Sequence, residues 1–373
     1  MSTDTPRRAE ESQERSDFEG TGSPLLEAEG LKKHFTVEQG FFDRLLGEER
    51  FVHAVDGVDL RLGERETLGV VGESGCGKST LGRTLARLYE PTEGTIRFDG
   101  EDISEAGGKR LKRLRKDVQV IFQDPLSSLN PRKTAGEIVA KPLAVHDIAS
   151  GEAREERVAE LFREVGLSPD VADRYPHEFS GGQRQRIGIA RALAVEPRLI
   201  IADEPVSALD VSVQAQIINL MKRLQDDYGL SYVFIAHDLS VVRHVSDRIA
   251  VMYLGNVVEE GPTDAIFGDP RHPYTRSLLA AIPSVEGKAG RRTVPLEGNP
   301  PSPIDPPSGC PFHTRCPEYI GGECEAETPP LAPVDGDETD GSDEAHLAAC
   351  HWNDRDPVER RQQSPYDGET PGR

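Results

Sequence analysis

The residues most suited to chemistry begin with a glycine-rich stretch at positions 72–80, Gly-Glu-Ser-Gly-Cys-Gly-Lys-Ser-Thr. It fits the pattern G-x-x-x-x-G-K-[ST] and lies between an apolar run and a helical pattern, the context that a phosphate-binding loop requires. Glycines let backbone N–H groups surround the β- and γ-phosphates of a nucleotide, and the helix N-terminus adds positive potential. Lys78 is predicted to reach the phosphate oxygens, and the Ser79 hydroxyl to bind Mg²⁺. The residues predicted to contact the nucleotide here are Gly72, Glu73, Ser74, Gly75, Cys76, Gly77, Lys78, Ser79 and Thr80.

Two carboxylates, Asp203 and Glu204, end the apolar run at 199–202. Asp203 is predicted to hold Mg²⁺ through water. Glu204 then lies where it could polarise a water molecule in line with the γ-phosphate. An acidic pair at the end of a strand is often merely solvated, but the phosphate-binding loop earlier in the chain favours the functional interpretation.

A second phosphate-facing element is predicted at Ser180, Gly181, Gly182 and Gln183, which begin an amphipathic helix. The alternative interpretation is an ordinary glycine-rich helix cap. A chain with both elements carries two half-sites for phosphates, and nothing in the sequence requires the two to meet within one molecule.

The elements that must position these residues alternate between strands and helices, which predicts an α/β three-layer core. Short continuous apolar runs suit the central strands of a parallel sheet covered on both faces. A mostly helical, charge-rich insert is predicted at about 125–180, and short β segments follow residue 248. The runs predicted as strands are 66–71, 117–122, 199–202, 232–236, 249–254 and 256–260; the clearest helices are 78–88 and 152–165.

Composition excludes some classes of partner. The formal net charge of −21 is unfavourable for binding a phosphate backbone, so no nucleic-acid partner is expected. Acidic excess with few lysines favours a protein that works in high salt, although ordinary acidic proteins share this composition. We find no run of ~20 apolar residues and no signal-peptide pattern, so the sequence predicts a cytoplasmic protein whose membrane contact is peripheral.

The combined motifs resemble those of ABC-type ATPases, which have a P-loop NTPase core with an antiparallel β subdomain and a helical subdomain. In that family the Ser180–Gln183 pattern is similar to the signature that caps the γ-phosphate bound to a partner subunit. The resemblance further implies that Gln123 senses Mg²⁺ and the attacking water. It also implies that Asp210 belongs to a loop at the dimer interface and that His237 contacts the γ-phosphate.

The aromatic residue that stacks on adenine in this family is harder to identify. Phe51 is the first choice and Phe35 the second, and either could equally be a core aromatic. Residues 38–50 look like an insertion that blurs the register.

Three stretches, at 123–131, 207–216 and 272–276, resemble the ATPase subunits of oligopeptide and dipeptide importers, and the P-loop resembles their "F" type. The implied organisation is a disordered tail at 1–24, an ABC ATPase domain at 25–285, a Cys-rich extension at 286–352 and a disordered tail at 353–373.

Four cysteines cluster in the extension, which favours a metal over disulfides in a reducing cytosol. The residues are Cys310, Cys316, Cys324 and Cys350. Some relatives bind a [4Fe–4S] cluster in this region, and four thiolates suit one. Zinc remains open, with His313 or His351 as substitute ligands, and so does the absence of any metal.

The resemblance implies ATP and Mg²⁺ as cofactors and a homologous ATPase subunit as partner. It also implies two membrane permeases, and indirectly an extracellular substrate-binding protein, at the cytoplasmic face of the membrane. The open alternatives are transport of sugars or nickel, a soluble non-transport ABC ATPase, and a regulatory protein without nucleotide turnover.

Overall fold

The computed structural model describes residues 23–37, 50–124, 128–281, 296, 298–334 and 345–354. Most of the predicted insertion at 38–50 and most of both predicted tails lie outside these residues, as does the stretch at 335–344, which is rich in Asp and Glu.

The chain forms twelve strands within the described residues. They are β1 (Leu26–Thr36), β2 (Phe51–Leu62), β3 (Thr67–Val71), β4 (Glu93–Phe98), β5 (Glu101–Asp102), β6 (Val118–Ile121), β7 (Leu199–Asp203), β8 (Ser231–Ile235), β9 (Arg248–Tyr253), β10 (Asn256–Pro262), β11 (Ala332–Pro333) and β12 (Leu347–Ala348).

Ten α-helices occur in the same ranges, together with four 3₁₀ turns. The helices are α1 (Lys78–Leu85), α2 (Gly108–Asp117), α3 (Ala135–Val145), α4 (Gly151–Glu164), α5 (Gly181–Leu193), α6 (Val211–Tyr228), α7 (Leu239–Val245), α8 (Thr263–Gly268), α9 (Pro273–Ala280) and α10 (Gly322–Ala326). The 3₁₀ turns are Pro169–Val171, Pro176–Glu178, His313–Arg315 and His351–Asp354.

The large sheet has the strand order β11-β12-β10-β9-β3-β8-β7-β6, and its central strands β9-β3-β8-β7-β6 are parallel. Alternate side chains of β7 enter different cores: Leu199 and Ile201 pack on one face, Ile200 and Ala202 on the other. Every residue of β3, β7 and β8 is buried, as expected for parallel strands covered on both faces. The predicted α/β three-layer core is therefore confirmed.

A second, antiparallel sheet has the order β2-β1-β4-β5. Its apolar side chains share one core with α1 and with one face of the large sheet; Leu26, Leu62, Leu81 and Ile96 are examples, each fully buried. This is the predicted antiparallel β subdomain, and it holds β2 beside the phosphate-binding loop.

The insert between β6 and β7 is helical, as predicted. Thr134 begins α3 with a capping box, accepting a hydrogen bond from the Glu137 N–H while the Glu137 carboxylate accepts one from the Thr134 N–H. In α4, Val158, Leu161 and Phe162 are buried at helical spacing.

Beyond residue 248 the sequence predicted only short β segments, whereas α8 and α9 follow β10. Pro273 at the first helical position and His272 as N-cap are the local signals for α9. The sequence predicts that the C-terminal tail begins at residue 353. Residues 353 and 354 belong to the turn His351–Asp354, and the Asn353 side chain donates to the Ala348 carbonyl.

The C-terminal extension joins the large sheet, because β12 pairs with β10 and β11 pairs with β12. Among the described residues, no helix combines the length and the apolar composition needed to span a membrane.

Candidate nucleotide site

The predicted site residues follow neighbouring parallel strands. The glycine-rich loop follows β3, His237 follows β8, Glu204 follows β7 and Gln123 follows β6, and the four strands are adjacent in the order β3-β8-β7-β6. Ligands of open α/β sheets bind at the carboxyl ends of the strands. Residues far apart in the chain therefore meet at one edge.

Backbone crowding explains two glycines of the loop. Gly77 has φ +105°, and a Cβ there would lie 1.9 Å from the Ala54 carbonyl oxygen. At Gly72, with φ +153°, a Cβ would lie 2.1 Å from the Met252 carbonyl oxygen. Both positions exclude other residues.

Lys78 begins α1 and is buried, with 4% of its surface exposed. Its Nζ donates to the carbonyl oxygens of Gly72 at 2.8 Å and Glu73 at 2.9 Å. The ammonium group thus lies inside the loop that is predicted to hold phosphates. Burial raises the pKa of the neighbouring Cys76 thiol, as expected for a packing residue rather than a nucleophile.

The predicted Mg²⁺ ligands Ser79 and Asp203 are in contact. The Ser79 hydroxyl donates to Asp203 Oδ1 at 2.6 Å, and Asp203 is 1% exposed. Arg83 Nη2 lies 3.4 Å from Asp203 Oδ2. A hydroxyl and a carboxylate held together at the start of α1 are oxygen ligands of the type that Mg²⁺ prefers.

Glu204, which follows β7, contacts one residue after each of the two flanking strands, β6 and β8. Gln123 Nε2 donates to Glu204 Oε2 at 2.7 Å, and His237 Nδ1 lies 3.4 Å from the same oxygen. Glu204 itself has φ +47°, a left-handed conformation that is uncommon for a residue with a side chain. Backbone strain of this kind clusters at functional sites.

The Ser180 element caps α5. The Ser180 hydroxyl accepts from the Gln183 N–H at 3.3 Å, and the Ser180 N–H donates to Gln183 Oε1 at 3.0 Å. The helix-cap interpretation is therefore correct as local structure. Ser180 and Gln183 are exposed, so their outer surfaces are free to face another molecule.

The two glycines of this element pack against the next predicted loop. A Cβ on Gly182 would lie 2.5 Å from Val213 Cγ1, and one on Gly181 would lie 3.2 Å from Leu209 Cδ2. Asp210 caps α6 by accepting from the Val213 N–H at 3.0 Å.

The two candidate adenine-stacking rings differ in their surroundings. Phe35 packs edge-on against Tyr89 with 5.5 Å between ring centroids. Phe51 is 36% exposed at the start of β2. The ring at Phe51 thus has more surface free for a base, and that of Phe35 has a packing role.

The four clustered cysteines line one cavity. Cys310 and Cys324 are buried, Cys316 and Cys350 half-buried, and His272, His313, His351 and Trp352 complete much of the wall. Burial raises the pKa of the Cys310 thiol to about 11 and also raises that of Cys316. In the described ranges, three metal-ligating atoms lie within 4.8 Å of one another only at His34, His53 and Asp56, so no three of these thiols do.

The His34, His53 and Asp56 group was not singled out in the sequence. Cross-strand pairing brings the two histidines together, and each lies within 3.3 Å of an Asp56 oxygen. These contacts already satisfy the carboxylate.

Sequence reasoning also missed the residues that hold Glu73. Tyr274 and Arg315 contact it from the C-terminal part of the chain. The sequence analysis singled out the stretch at 272–276, which contains Tyr274. It gave no indication of Arg315.

Comparison with known proteins agrees with this geometry. A family model described as ABC transporter matches residues 55–207, and one described as the C-terminal region of oligopeptide/dipeptide transporters matches residues 258–324. The chain is 52% identical to the oligopeptide transport ATP-binding protein AppF of Bacillus subtilis, over 88% of this chain and 97% of that protein. It is 49% identical to the dipeptide transport ATP-binding protein DppF of Escherichia coli, over 89% and 96%.

Among solved structures, the chain resembles the dimeric structure of MJ0796, a bacterial ABC transporter cassette. The TM-score is 0.57 and the sequence identity 32%, over 64% of this chain and 99% of the cassette. The same cassette in a dimeric post-hydrolysis state with ADP and Pi gives the same TM-score, 0.57.

Proposed function

The chain belongs to the ATP-binding proteins of ABC-type oligopeptide and dipeptide transporters, and on that premise we propose that it hydrolyses ATP to drive the import of peptides. The observation that carries this proposal is the contact of Gln123 and His237 with Glu204, at the sheet edge that also holds the glycine-rich loop.

Glu204 is proposed as the base that polarises the attacking water. Its Oε2 accepts a hydrogen bond from Gln123 and lies within 3.4 Å of His237. These neighbours orient the carboxylate before a nucleotide arrives, so less reorganisation is needed during reaction. We propose that His237 and Gln123 also contact the γ-phosphate side of the site.

Mg²⁺ is proposed to be held by Ser79 and Asp203 together with Gln123. The phosphates of ATP are proposed to be held by residues 72–80. When bound, the metal ion neutralises charge on the β- and γ-phosphate oxygens. Lys78 and the loop N–H groups supply the remaining positive potential, and Phe51 is the proposed adenine-stacking ring.

ATP is proposed to bind between two subunits. The exposed Ser180 and Gln183 surface, with Gly181 and Gly182, would cap the nucleotide held by the phosphate-binding loop of a homologous partner, and Asp210 would lie at the same interface. The similarity to a cassette solved as a dimer supports this arrangement.

The membrane partners are proposed to dock on the helical insert. Among the insert residues that the structure describes, three large apolar side chains are exposed, namely Val145, Ile148 and Tyr175. Two permease subunits contacting this surface would hold the chain peripherally at the cytoplasmic face, with an extracellular substrate-binding protein acting through them.

We propose that the ATPase domain spans residues 25–285 and that the C-terminal extension spans residues 286–352.

The Cys-lined cavity is proposed to hold a metal centre, with a [4Fe–4S] cluster favoured over zinc. The donors fit, because the four thiols line one cavity. With Zn–S bonds of about 2.3 Å, the sulfurs of a tetrahedral zinc site lie roughly 3.8 Å apart. No three of the four thiols lie within 4.8 Å of one another, which does not match that zinc geometry.

Complementation tests the proposed cargo. A strain lacking the gene receives the wild-type chain or Glu204→Gln, and uptake of labelled di- and oligopeptides is measured beside a disaccharide and nickel. Peptide uptake restored by the wild type alone supports the proposal. Restored uptake of the sugar or of nickel instead would reassign the cargo, and ATPase activity without any transport would indicate a soluble ABC ATPase.

Measuring the ATPase activity of the purified chain in molar salt tests the high-salt prediction, which was drawn from the net charge of −21.

A further inference from the structure

A partly buried ion pair joins the Cys-rich extension to the phosphate-binding loop. Arg315 Nη1 and Nη2 donate to the two carboxylate oxygens of Glu73, at 2.7 and 3.1 Å. The Arg315 side chain is 5% exposed and that of Glu73 26%. Bidentate pairs between a guanidinium and a carboxylate are the strong, orienting kind. The Glu73 carboxylate raises the pKa of Arg315 further, so this charge is permanent.

The loop residue held by Arg315 is connected directly to Lys78. The Glu73 carbonyl oxygen accepts from Lys78 Nζ at 2.9 Å, while the Glu73 N–H donates to the Tyr274 hydroxyl at 2.8 Å. Tyr253 contacts both groups: its ring centroid lies 4.7 Å from that of Tyr274, with the rings tilted by 59°, and 5.9 Å from the Arg315 guanidinium carbon. Backbone and side chain of Glu73 are therefore both fixed from the C-terminal half of the chain.

Arg315 is next in the chain to Cys316, which lines the Cys-lined cavity. Arg315 ends the turn His313–Arg315. Cys310 fixes the start of this turn, because its carbonyl oxygen accepts from the His313 N–H at 3.0 Å. Phe312 lines the cavity and packs on Tyr253 with 5.2 Å between centroids. Two of the four thiols thus flank the segment that carries the guanidinium.

The ion pair between Glu73 and Arg315 affects the charge that the phosphate-binding loop presents to a nucleotide. A carboxylate in a phosphate-binding loop repels the polyphosphate unless a cation compensates it. Arg315 supplies that cation from behind the loop, and Lys78 remains available to the phosphates. Loss of Arg315 would leave Glu73 uncompensated and its loop free to move.

We propose that Arg315 is a positioning residue for the phosphate-binding loop, and that through it the state of the Cys-lined cavity sets the affinity for nucleotide. This inference rests on the proposed ATPase function but not on the identity of the cargo. If the chain binds nucleotide as described but imports no peptide, the proposed peptide cargo is wrong. The proposed role of Arg315 would not be affected by that result.

The test uses the full chain and the fluorescent nucleotide mant-ADP, with MgATP as competitor. Arg315→Ala is expected to weaken binding roughly tenfold, within the usual range of coupling between sites. The KM for ATP should rise by a similar factor, while kcat at saturating ATP stays within about twofold, because Glu204, Gln123 and His237 are untouched.

Charge compensation distinguishes this role from general support of the fold. The double variant Arg315→Ala, Glu73→Gln is expected to regain most of the lost affinity, and Arg315→Lys part of it. Arg198→Ala removes the same charge from an ion pair with Asp99 elsewhere on the surface and serves as the matched control. A double variant that binds no better than Arg315→Ala, or an Arg315→Ala variant that binds like the wild type, overturns the proposal.

A second experiment varies the metal content of the protein. Full-length protein reconstituted with iron and sulfide is compared with protein depleted by a chelator, with mant-ADP affinity and hydrogen exchange of the loop amides as readouts. Depletion is expected to weaken binding and speed exchange in the wild type but to change neither in Arg315→Ala. An equal effect of depletion in both proteins would show that Arg315 does not carry the link.

Discussion

Gln123 and Glu204 are joined by a 2.7 Å hydrogen bond from Gln123 Nε2 to Glu204 Oε2, although 81 residues separate them. The bond links the ends of two adjacent parallel strands, β6 and β7. Because Gln123 precedes the helical insert, a movement of that insert would change the orientation of the proposed base. This contact thus offers a short route from the proposed permease surface to the hydrolysis site.

Replacing Glu204 with Gln should lower the ATPase rate by about 10²–10⁴-fold, since the amide cannot take a proton from water. Binding of MgATP should persist, because the phosphate-binding loop is unchanged. Phosphate release and mant-nucleotide binding measure the two effects.

The control for this variant is Glu196→Gln, which removes an exposed carboxylate paired with Arg157. It should leave turnover within about twofold. Unchanged turnover in Glu204→Gln would refute Glu204 as the base.

Asp203→Asn should raise the Mg²⁺ concentration needed for half-maximal ATPase by about 10–100-fold, the usual effect of losing an outer-sphere ligand. The Ser79 hydroxyl still has an oxygen acceptor in this variant, so the loop should stay folded. A Mg²⁺ titration of the ATPase rate checks the shift. Asp99→Asn, on an exposed ion pair, is the control, and an unshifted titration in Asp203→Asn would exclude a role in holding the metal.

Gly182→Ala should reduce ATPase activity at least tenfold by displacing the start of α5. A Cβ there would lie 2.5 Å from Val213 Cγ1, and overpacking of this kind costs about 1–3 kcal/mol. Adding Val213→Ala should restore activity by removing the clash.

Gly188→Ala is the matched control on the same helix, because a Cβ there meets no atom within 4 Å. Alanine should stabilise α5 by up to about 1 kcal/mol and leave turnover unchanged. Equal losses in both variants would mean that the effect is not due to the position of Gly182.

Much of the fold was predictable because its signals are local. The continuous apolar runs at 199–202 and 232–236 predict strands covered on both faces, and both became fully buried central strands. The glycines of the phosphate-binding loop, such as Gly72 and Gly77, indicate a turn with positive φ directly from the sequence. Once the parallel order is known, Gln123, Glu204 and His237 must lie at one edge.

What the sequence could not predict depends on contacts between distant segments. Glu73 and Arg315 are 242 residues apart, and nothing local in either stretch indicates the other. Helices α8 and α9 were missed for a different reason. They have only 6 and 8 residues, too few to establish a helical period, and packing on the sheet stabilises them.

The adenine-stacking ring can be identified by comparing two substitutions. Phe51→Ala is expected to weaken ATP binding by about 1–3 kcal/mol, the usual contribution of a base–aromatic stack, with little change in melting temperature. Phe35→Ala should mainly lower the melting temperature, because that ring packs against Tyr89. If Phe35→Ala instead gives the larger loss of affinity, the stacking role belongs to Phe35.

The full chain purified without oxygen should be brown, with visible absorbance from thiolate-to-iron charge transfer. Cys350→Ser should bleach this colour by removing one of four thiols around the cavity, whereas Cys76→Ser should keep it, because Cys76 lies in the phosphate-binding loop. Chelation should lower the melting temperature by about 2.5 °C or more if the metal contributes at least ~2 kcal/mol. Metal analysis that finds zinc, with no visible band, would assign the cavity to zinc. Colourless protein without bound metal after iron and sulfide reconstitution would refute the metal centre.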